Sequence, residues 1–185
     1  MTPPNFWRKS LLAFWLTAVM AAPAIASGLP QPTDKVLLDI SGAIAQGNLP
    51  LRGDASQQGE VVAAHAQFDM AMLKKMPATT IETATPWFDG VHRLTGVRLA
   101  DLLKAVGASG ETIEAVALND YMVEIPVGDA VSDDVIVAYA FDDQPMSVRD
   151  KGPLWVIYPL TGRPALNTPE IQSKMIWQLK AMTIQ

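Results

Sequence analysis

The chain is 185 residues long, 49% hydrophobic and free of cysteine, with 14 basic against 19 acidic side chains. The acidic balance disfavours nucleic acid, whose phosphates repel it, and anionic membrane surfaces. Without cysteine there are no disulfides, so a hydrophobic core must supply the stability. One domain suffices, since ~150 residues can bury close to ~70% of the surface that the unfolded chain exposes.

Arg8 and Lys9 precede the apolar run LLAFWLTAVMAA, which is followed by Pro23 and then Ala24-Ile25-Ala26. A basic start, a short apolar stretch and a small-x-small exit specify a secretory signal peptide over residues 1–26. The run falls short of the ~20 apolar residues of a spanning helix. Cleavage is expected after Ala26, giving a periplasmic protein, and Ser27 at the cut offers no thiol for a lipid. The basic pair is Arg-Lys, so the twin-arginine signature is incomplete. The general secretory route threads an unfolded chain, which weighs against a cofactor inserted before export. Loss of Arg8 and Lys9 leaves 12 basic against 19 acidic groups, a formal net charge of −7.

Residues 27–35, SGLPQPTDK, read as a flexible leader. VLLDISGAI reads as a strand ending at Ser41-Gly42, and GNLPLRGDASQQGEV as turns. FDMAMLKKM (68–76) has the spacing of a short amphipathic helix, with Asp69 in its first turn and Lys74 and Lys75 in its last. The Thr-rich ATTIETAT suits a strand. TGVRLADLLKAVGA (95–108) reads as a second helix, with Leu99, Leu102, Leu103 and Val106 on one face and Gly107 closing it. TIEAVALND and YMVEIPV are strands joined at Asn119-Asp120, and 127–134 is a short turn or helix. DVIVAYAF is a strand, DDQP a turn and PMSVRDKG a loop. PLWVIYPL (153–160) is an apolar strand. TGRPALNTPEIQSK is a loop with a helical turn from Pro169, and MIWQLKAMTI (175–184) is a closing strand. Strands with a few short helices indicate a single α+β domain over 36–185.

Four stretches carry a family resemblance. WFDGVHRLTGVRLADLL (87–103), ALNDYMVEIP (117–126), VAYAFDDQPMSVRDKGPLWVIYP (137–159) and SKMIWQL (173–179) resemble, in order and spacing, segments of the sulfite-oxidase-like molybdopterin-binding domain. The resemblance implies that fold, oxygen-atom transfer or reduction at molybdenum, and a pterin cleft lined by backbone amides, polar side chains and basic residues. It also implies a cysteine thiolate on the metal, four residues before Trp87. That position is Thr83, and neither neighbour, Glu82 or Ala84, supplies a thiolate. Thiolate is a soft ligand suited to such metals, whereas a threonine hydroxyl holds its proton far too tightly. Two basic positions of the family pattern are also changed: Ile176 precedes the closing Trp, with Lys174 two residues earlier, and Trp155 follows the Pro-Leu pair. An Arg fork for phosphate is thereby lost.

The remaining cleft candidates are few. His92-Arg93 beside the altered metal position reads as an anion-binding pair or as a solvated loop. Asn119-Asp120-Tyr121 reads as turn chemistry or as a polar rim whose Tyr121 ring stacks on a planar ligand. Arg149 and Lys151 offer charge for an anion, and Gly152 permits close backbone approach. His65 reads as structural. Trp155, Tyr158 and Trp177 read as core rather than an aromatic box. Met70, Met72 and Met76 read as packing. The acid pairs Asp133-Asp134 and Asp142-Asp143 lack calcium-loop spacing.

The expected protein is therefore an exported molybdopterin-binding fold without the thiolate ligand, with no cofactor assigned beyond the molybdopterin that the resemblance implies. It is expected to serve as a sensory or accessory module for a small anionic or planar ligand and a membrane-bound signalling or redox partner, not nucleic acid. The alternative is a molybdopterin-dependent oxidoreductase with a non-cysteine metal site, so enzyme status is left open.

Overall fold

A computed structural model describes residues 28–49 and 64–185. The signal-peptide reading of 1–26 and residues 50–61 of the turn-rich stretch lie outside them.

β1 (Val36–Gly42) pairs antiparallel with β2 (Ala66–Asp69). Four residues are too few to show a period, so β2 merges in the sequence with the helix after it. That helix, α1 (Met70–Lys75), is shorter than the expected 68–76. Phe68 belongs to β2, and Asp69 is the N-cap rather than a first-turn residue, its carboxylate accepting from the Met72 N–H at 2.8 Å. Such a cap satisfies one of the orphan donors at the start of a helix. Asp69 also accepts from the backbone of Thr33 at 2.7 Å and of Asp34 at 3.1 Å, so it ties residues 33–34 to the domain. Asn48, buried beside it, donates to Pro30 O and Gln67 O.

β3 (Ala78–Thr85) coincides with ATTIETAT. β4 (Phe88–Arg98) was not legible, and it takes Thr95–Arg98 from the expected second helix. Its hydrogen bonds run to β3 on one side and to β7 on the other, and that pairing overrides the weak local preference around Asp89-Gly90. At a bulge between Thr95 and Gly96 the backbones close up, and a Cβ on Gly96 would lie 2.1 Å from Val137 O. α2 (Leu99–Val106) buries the four residues that its spacing selected, and Gly107 at φ 60° closes it by donating to Leu103 O and Lys104 O.

β5 (Thr112–Ala117) and β6 (Met122–Pro126) form a hairpin, and α3 (Val127–Ser132) settles the 127–134 segment as helix. β7 (Ile136–Phe141) turns through Asp142 and Asp143, both at positive φ, into the two-residue β8 (Gln144–Pro145). β9 keeps only Trp155–Ile157 of the apolar 153–160 run. α4 (Pro169–Lys174) is the helical turn expected from Pro169. β10 (Leu179–Ile184) starts later than residue 175, because Gln178 at φ 54° interrupts it.

Among the described residues, one sheet runs β2-β1-β10-β5-β6 and the other β3-β4-β7-β8, with β9 on β7. β1 and β10 are parallel, with Asp39 opposite Ala181, and the other pairs are antiparallel. One core draws on both sheets, with Leu38, Ile40 and Ile113 from the first and Leu94, Ile136 and Trp155 from the second. The sheets are tied together where the 151–156 backbone meets 176–179. Gln178 N donates to Lys151 O at 3.0 Å, Leu179 N to Leu154 O at 3.0 Å, and Val156 N to Ile176 O at 2.9 Å. That seam positions the site.

Candidate functional site

A cleft of about 310 Å³ opens beside the seam. Its walls include Trp87 from the β3–β4 turn, Asn119 and Tyr121 from the β5–β6 turn, Gln172 from α4, and Trp177. Among the described residues, none of its lining side chains is charged. The β5–β6 turn is fixed by its own backbone: Ala117 N donates to Tyr121 O, and Asp120 N to Ala117 O. Asn119 Oδ1 accepts from Tyr121 N at 3.2 Å, which leaves its amide nitrogen for a ligand. Asp120 faces away, pairing with Lys180 at 2.6 Å. Tyr121 is half exposed, so its ring is available at the rim.

Behind the cleft, rings form a row. Trp177 meets Trp87 edge-on at 5.1 Å, and Trp87 lies 5.7 Å from Trp155. Phe88 follows at 6.1 Å from Trp155, then Phe141 at 4.8 Å from Phe88, then His92 at 4.5 Å from Phe141. Trp155 is fully buried and donates its Nε1–H to Met175 O at 3.0 Å. The expectation that Trp155 is core holds. Tyr158 is core in the same cluster but lies outside the row of rings, donating to Asp129 at 2.8 Å. Burial, reinforced by that carboxylate, raises the phenol's pKa.

Lys151, partly buried, sets Nζ among four of these rings, 3.8 Å from the Trp177 centroid, 5.4 Å from Trp87, 5.7 Å from Phe88 and 5.7 Å from Trp155. Desolvation lowers its pKa, and among the described residues no carboxylate opposes that shift. The ring faces supply the compensating negative potential. Gly152 is buried, and a Cβ there would lie 2.2 Å from Met146 O, so the backbone approach is as close as the sequence suggested. Arg149 is exposed at the outer edge of the same loop.

His92 and Arg93 stand at the other end of the row, each committed to the β7–β8 turn. His92 Nδ1 donates to Asp142 at 2.8 Å and Nε2 to Asp89 O at 2.8 Å, and Arg93 pairs with Asp143 at 2.8 Å. With both ring nitrogens facing acceptors the imidazolium is favoured, and the Asp142 hydrogen bond raises the His92 pKa. Arg98 and Arg163 are likewise paired, with Asp134. Both acid pairs that the sequence left unexplained thus serve arginine or histidine. His65 also has an acid, Asp39 at 3.0 Å, supplied by the neighbouring strand rather than by sequence proximity.

Thr83 is fully buried in β3. Its hydroxyl donates to Ala84 O at 3.1 Å and accepts from Thr161 N at 3.1 Å, while Thr161 Oγ1 accepts from Ala84 N at 2.9 Å. The two threonines lock the end of β3 to the 160–162 turn. Two residues on, Thr85 Oγ1 is buried and has no hydrogen-bond partner among the described residues. The structure thus gathers Asn119 and Tyr121 at the cleft and Lys151 and Gly152 behind it. Thr83, Asp120, His92 and Arg93 are held in contacts of their own. Sequence reasoning missed Trp87, Gln172 and Ser173 as cleft residues. Only the aromatic content of Trp87-Phe88 hinted at them.

A family model described as oxidoreductase molybdopterin binding domain matches residues 57–162, more than half of the sequence. The chain belongs to that family. Its fold is similar to the crystal structure of the sulfane dehydrogenase SoxCD from Paracoccus pantotrophus, with a TM-score of 0.55 and 15% identity. The alignment covers 85% of this chain and 40% of that one, so the chain spans less than half the length of that structure. The search of curated proteins returned no match. This is a cysteine-free member of that family, and its likeness to SoxCD is one of fold.

The donor set does not fit a thiolate-held molybdenum. Thr83 has its hydroxyl engaged on both sides, Thr85 offers a neutral alcohol, and among the described residues no three His, Asp or Glu side chains converge as a metal site. The cleft itself fits a flat group: two indoles and a phenol for stacking, and amides for in-plane hydrogen bonds.

Proposed function

We propose that this chain is an exported, periplasmic binding module that keeps the molybdopterin-binding fold without thiolate-linked molybdenum. It takes a small planar ligand in the cleft walled by Trp87, Tyr121 and Trp177. The carrying observation is the Thr83–Thr161 lock: the residue at the expected ligand position is consumed in holding the fold together, while the neighbouring cleft stays open. The ligand would stack on the rings, with Asn119 and Gln172 reading its edge. No charged wall side chain calls for an anionic ligand.

A membrane-bound signalling or redox protein is the proposed reader of the bound state. The support is the apolar rim beside the cleft, where Leu118, Tyr121 and Met122 are 46%, 51% and 55% exposed. The signal-peptide pattern supports the location, and cell fractionation with N-terminal sequencing tests it.

Family membership favours a second reading, a molybdopterin oxidoreductase with an oxygen ligand or an open position at the metal. Elemental analysis for molybdenum and tungsten, with pterin fluorescence, on protein from its own periplasm separates the two. Neither metal nor pterin is expected, and near-stoichiometric amounts of both would overturn the binding-module reading. Thermal shift with lumazine, a neutral planar heteroaromatic, tests the cleft directly. At 100 times its dissociation constant a ligand adds ~2.7 kcal/mol, about 5–10 °C for a domain of this size. Tyr121→Ala should reduce the shift, and no shift with the wild-type protein would count against the cleft.

A further inference from the structure

We infer that the four-ring enclosure around Lys151 is an organic-cation site, filled by the chain's own ammonium and open to a quaternary ammonium when Lys151 withdraws. The inference deepens the ligand reading of the cleft, because Trp87 and Trp177 wall both spaces.

The enclosure is a built one. Trp87, Phe88, Trp155 and Trp177 come from three separate segments and place their centroids 3.8–5.7 Å from one Nζ. The seam fixes them: Trp155 is buried and hydrogen-bonded through its indole, and the backbones of Trp155 and Trp177 form a bridge. An aliphatic side chain would fill such a space at less desolvation cost than an ammonium without a carboxylate partner. Electron-rich faces converging on one point are the arrangement that recognises alkylated ammonium groups.

Lys151 is anchored differently from its cage. Its backbone is held at φ 69° and accepts from Gln178 N at 3.0 Å. Its ammonium, among the described residues, has only the rings. The side chain can therefore swing out while the cage stays in place. A primary ammonium is strongly hydrated and gains by returning to water, whereas a quaternary ammonium loses little hydration on entry. The acidic charge of the mature chain draws cations to the surface. The uncharged cleft walls put no competing cation on the approach.

The test is titration of folded Lys151→Ala with tetramethylammonium chloride, against sodium chloride at matched ionic strength, read by tryptophan fluorescence and calorimetry. Saturable quenching is expected, at least ten-fold tighter than in the wild-type protein, where the tethered amine competes at an effective concentration on the order of millimolar or above. Adding Trp177→Ala should abolish it. Should Lys151→Ala not fold, Lys151→Gln, shorter than lysine and uncharged, takes its place. No saturable binding by the folded variant, or binding unaffected by Trp177→Ala, overturns the inference. Lumazine separates this result from the cleft reading. If lumazine still stabilises the wild-type protein while tetramethylammonium fails on the variant, the cage inference falls alone. If tetramethylammonium binds and lumazine does not, the cage stands and the planar-ligand reading falls.

Discussion

Replacing Thr83 by valine isolates what this residue does, since valine keeps the branched shape and removes the oxygen. Two hydrogen bonds disappear, the donation to Ala84 O and the acceptance from Thr161 N, both at 3.1 Å. A net contribution of about 1 kcal/mol for each gives a loss of about 2 kcal/mol. Thr161 is exposed, so water can reach its N–H and hold the loss near that figure. At about 3 °C per kcal/mol for a domain of this size, the melting temperature should fall by about 6 °C. Thr83→Ser keeps both bonds and loses one methyl, about 1 kcal/mol, and should fall by about half as much. Differential scanning calorimetry of the three proteins gives the order wild type, serine, valine. Because Thr83 does not line the cleft, lumazine should stabilise all three by the same increment. If valine matched the wild type, the structural account would be wrong, and if it also erased the lumazine increment, Thr83 would be a ligand-contacting residue.

Gly152→Ala should cost about 1–3 kcal/mol, because its methyl would meet Met146 O at 2.2 Å; a urea denaturation midpoint equal to that of wild type would contradict the close approach. The raised pKa of His92 means that its contribution is complete below the unfolded value of 6.5 and is lost as pH rises through the folded value. Urea midpoints should therefore decline over that window, and His92→Gln should flatten the decline. Asp69 behaves with the opposite sign. Its pKa is lowered chiefly by the Met72 N–H, so its contribution is present above the ordinary carboxylate range and is lost as pH falls through the depressed value. Asp69→Asn should remove that part of the acid transition, and an acid limb identical to that of wild type would show that other carboxylates carry it.

What could be read from the sequence follows from how local each signal is. α2 was legible because Leu99, Leu102, Leu103 and Val106 repeat at helical spacing and Gly107 supplies the left-handed stop. β3 was legible through its β-branched composition and partial alternation. β4 was not, because Asp89-Gly90 near its start disfavours a strand and its second edge is held by β7, which no local window contains. The site divides in the same way. The Asn119-Asp120 turn was legible because two turn residues mark a hairpin, whereas its reading as a cleft rim came from the family resemblance. The cage around Lys151 was missed because Trp87 joins it from a hairpin far back in the chain, and Tyr158, three residues from Trp155, turns instead to Asp129. Lys151 itself was noticed as a charge for an anion, and only the rings around it suggest the opposite preference.

The place of β10 in its sheet also governs when this protein can fold. The strand separates β1 from β5, so all its neighbours are synthesised before it and none can complete the sheet without it. A growing chain carries open strand edges until Leu179–Ile184 emerges. During that interval it is exposed to proteases and aggregation. A frameshift or nick that removes those six residues would split one sheet into two unjoined pairs, β1 with β2 and β5 with β6.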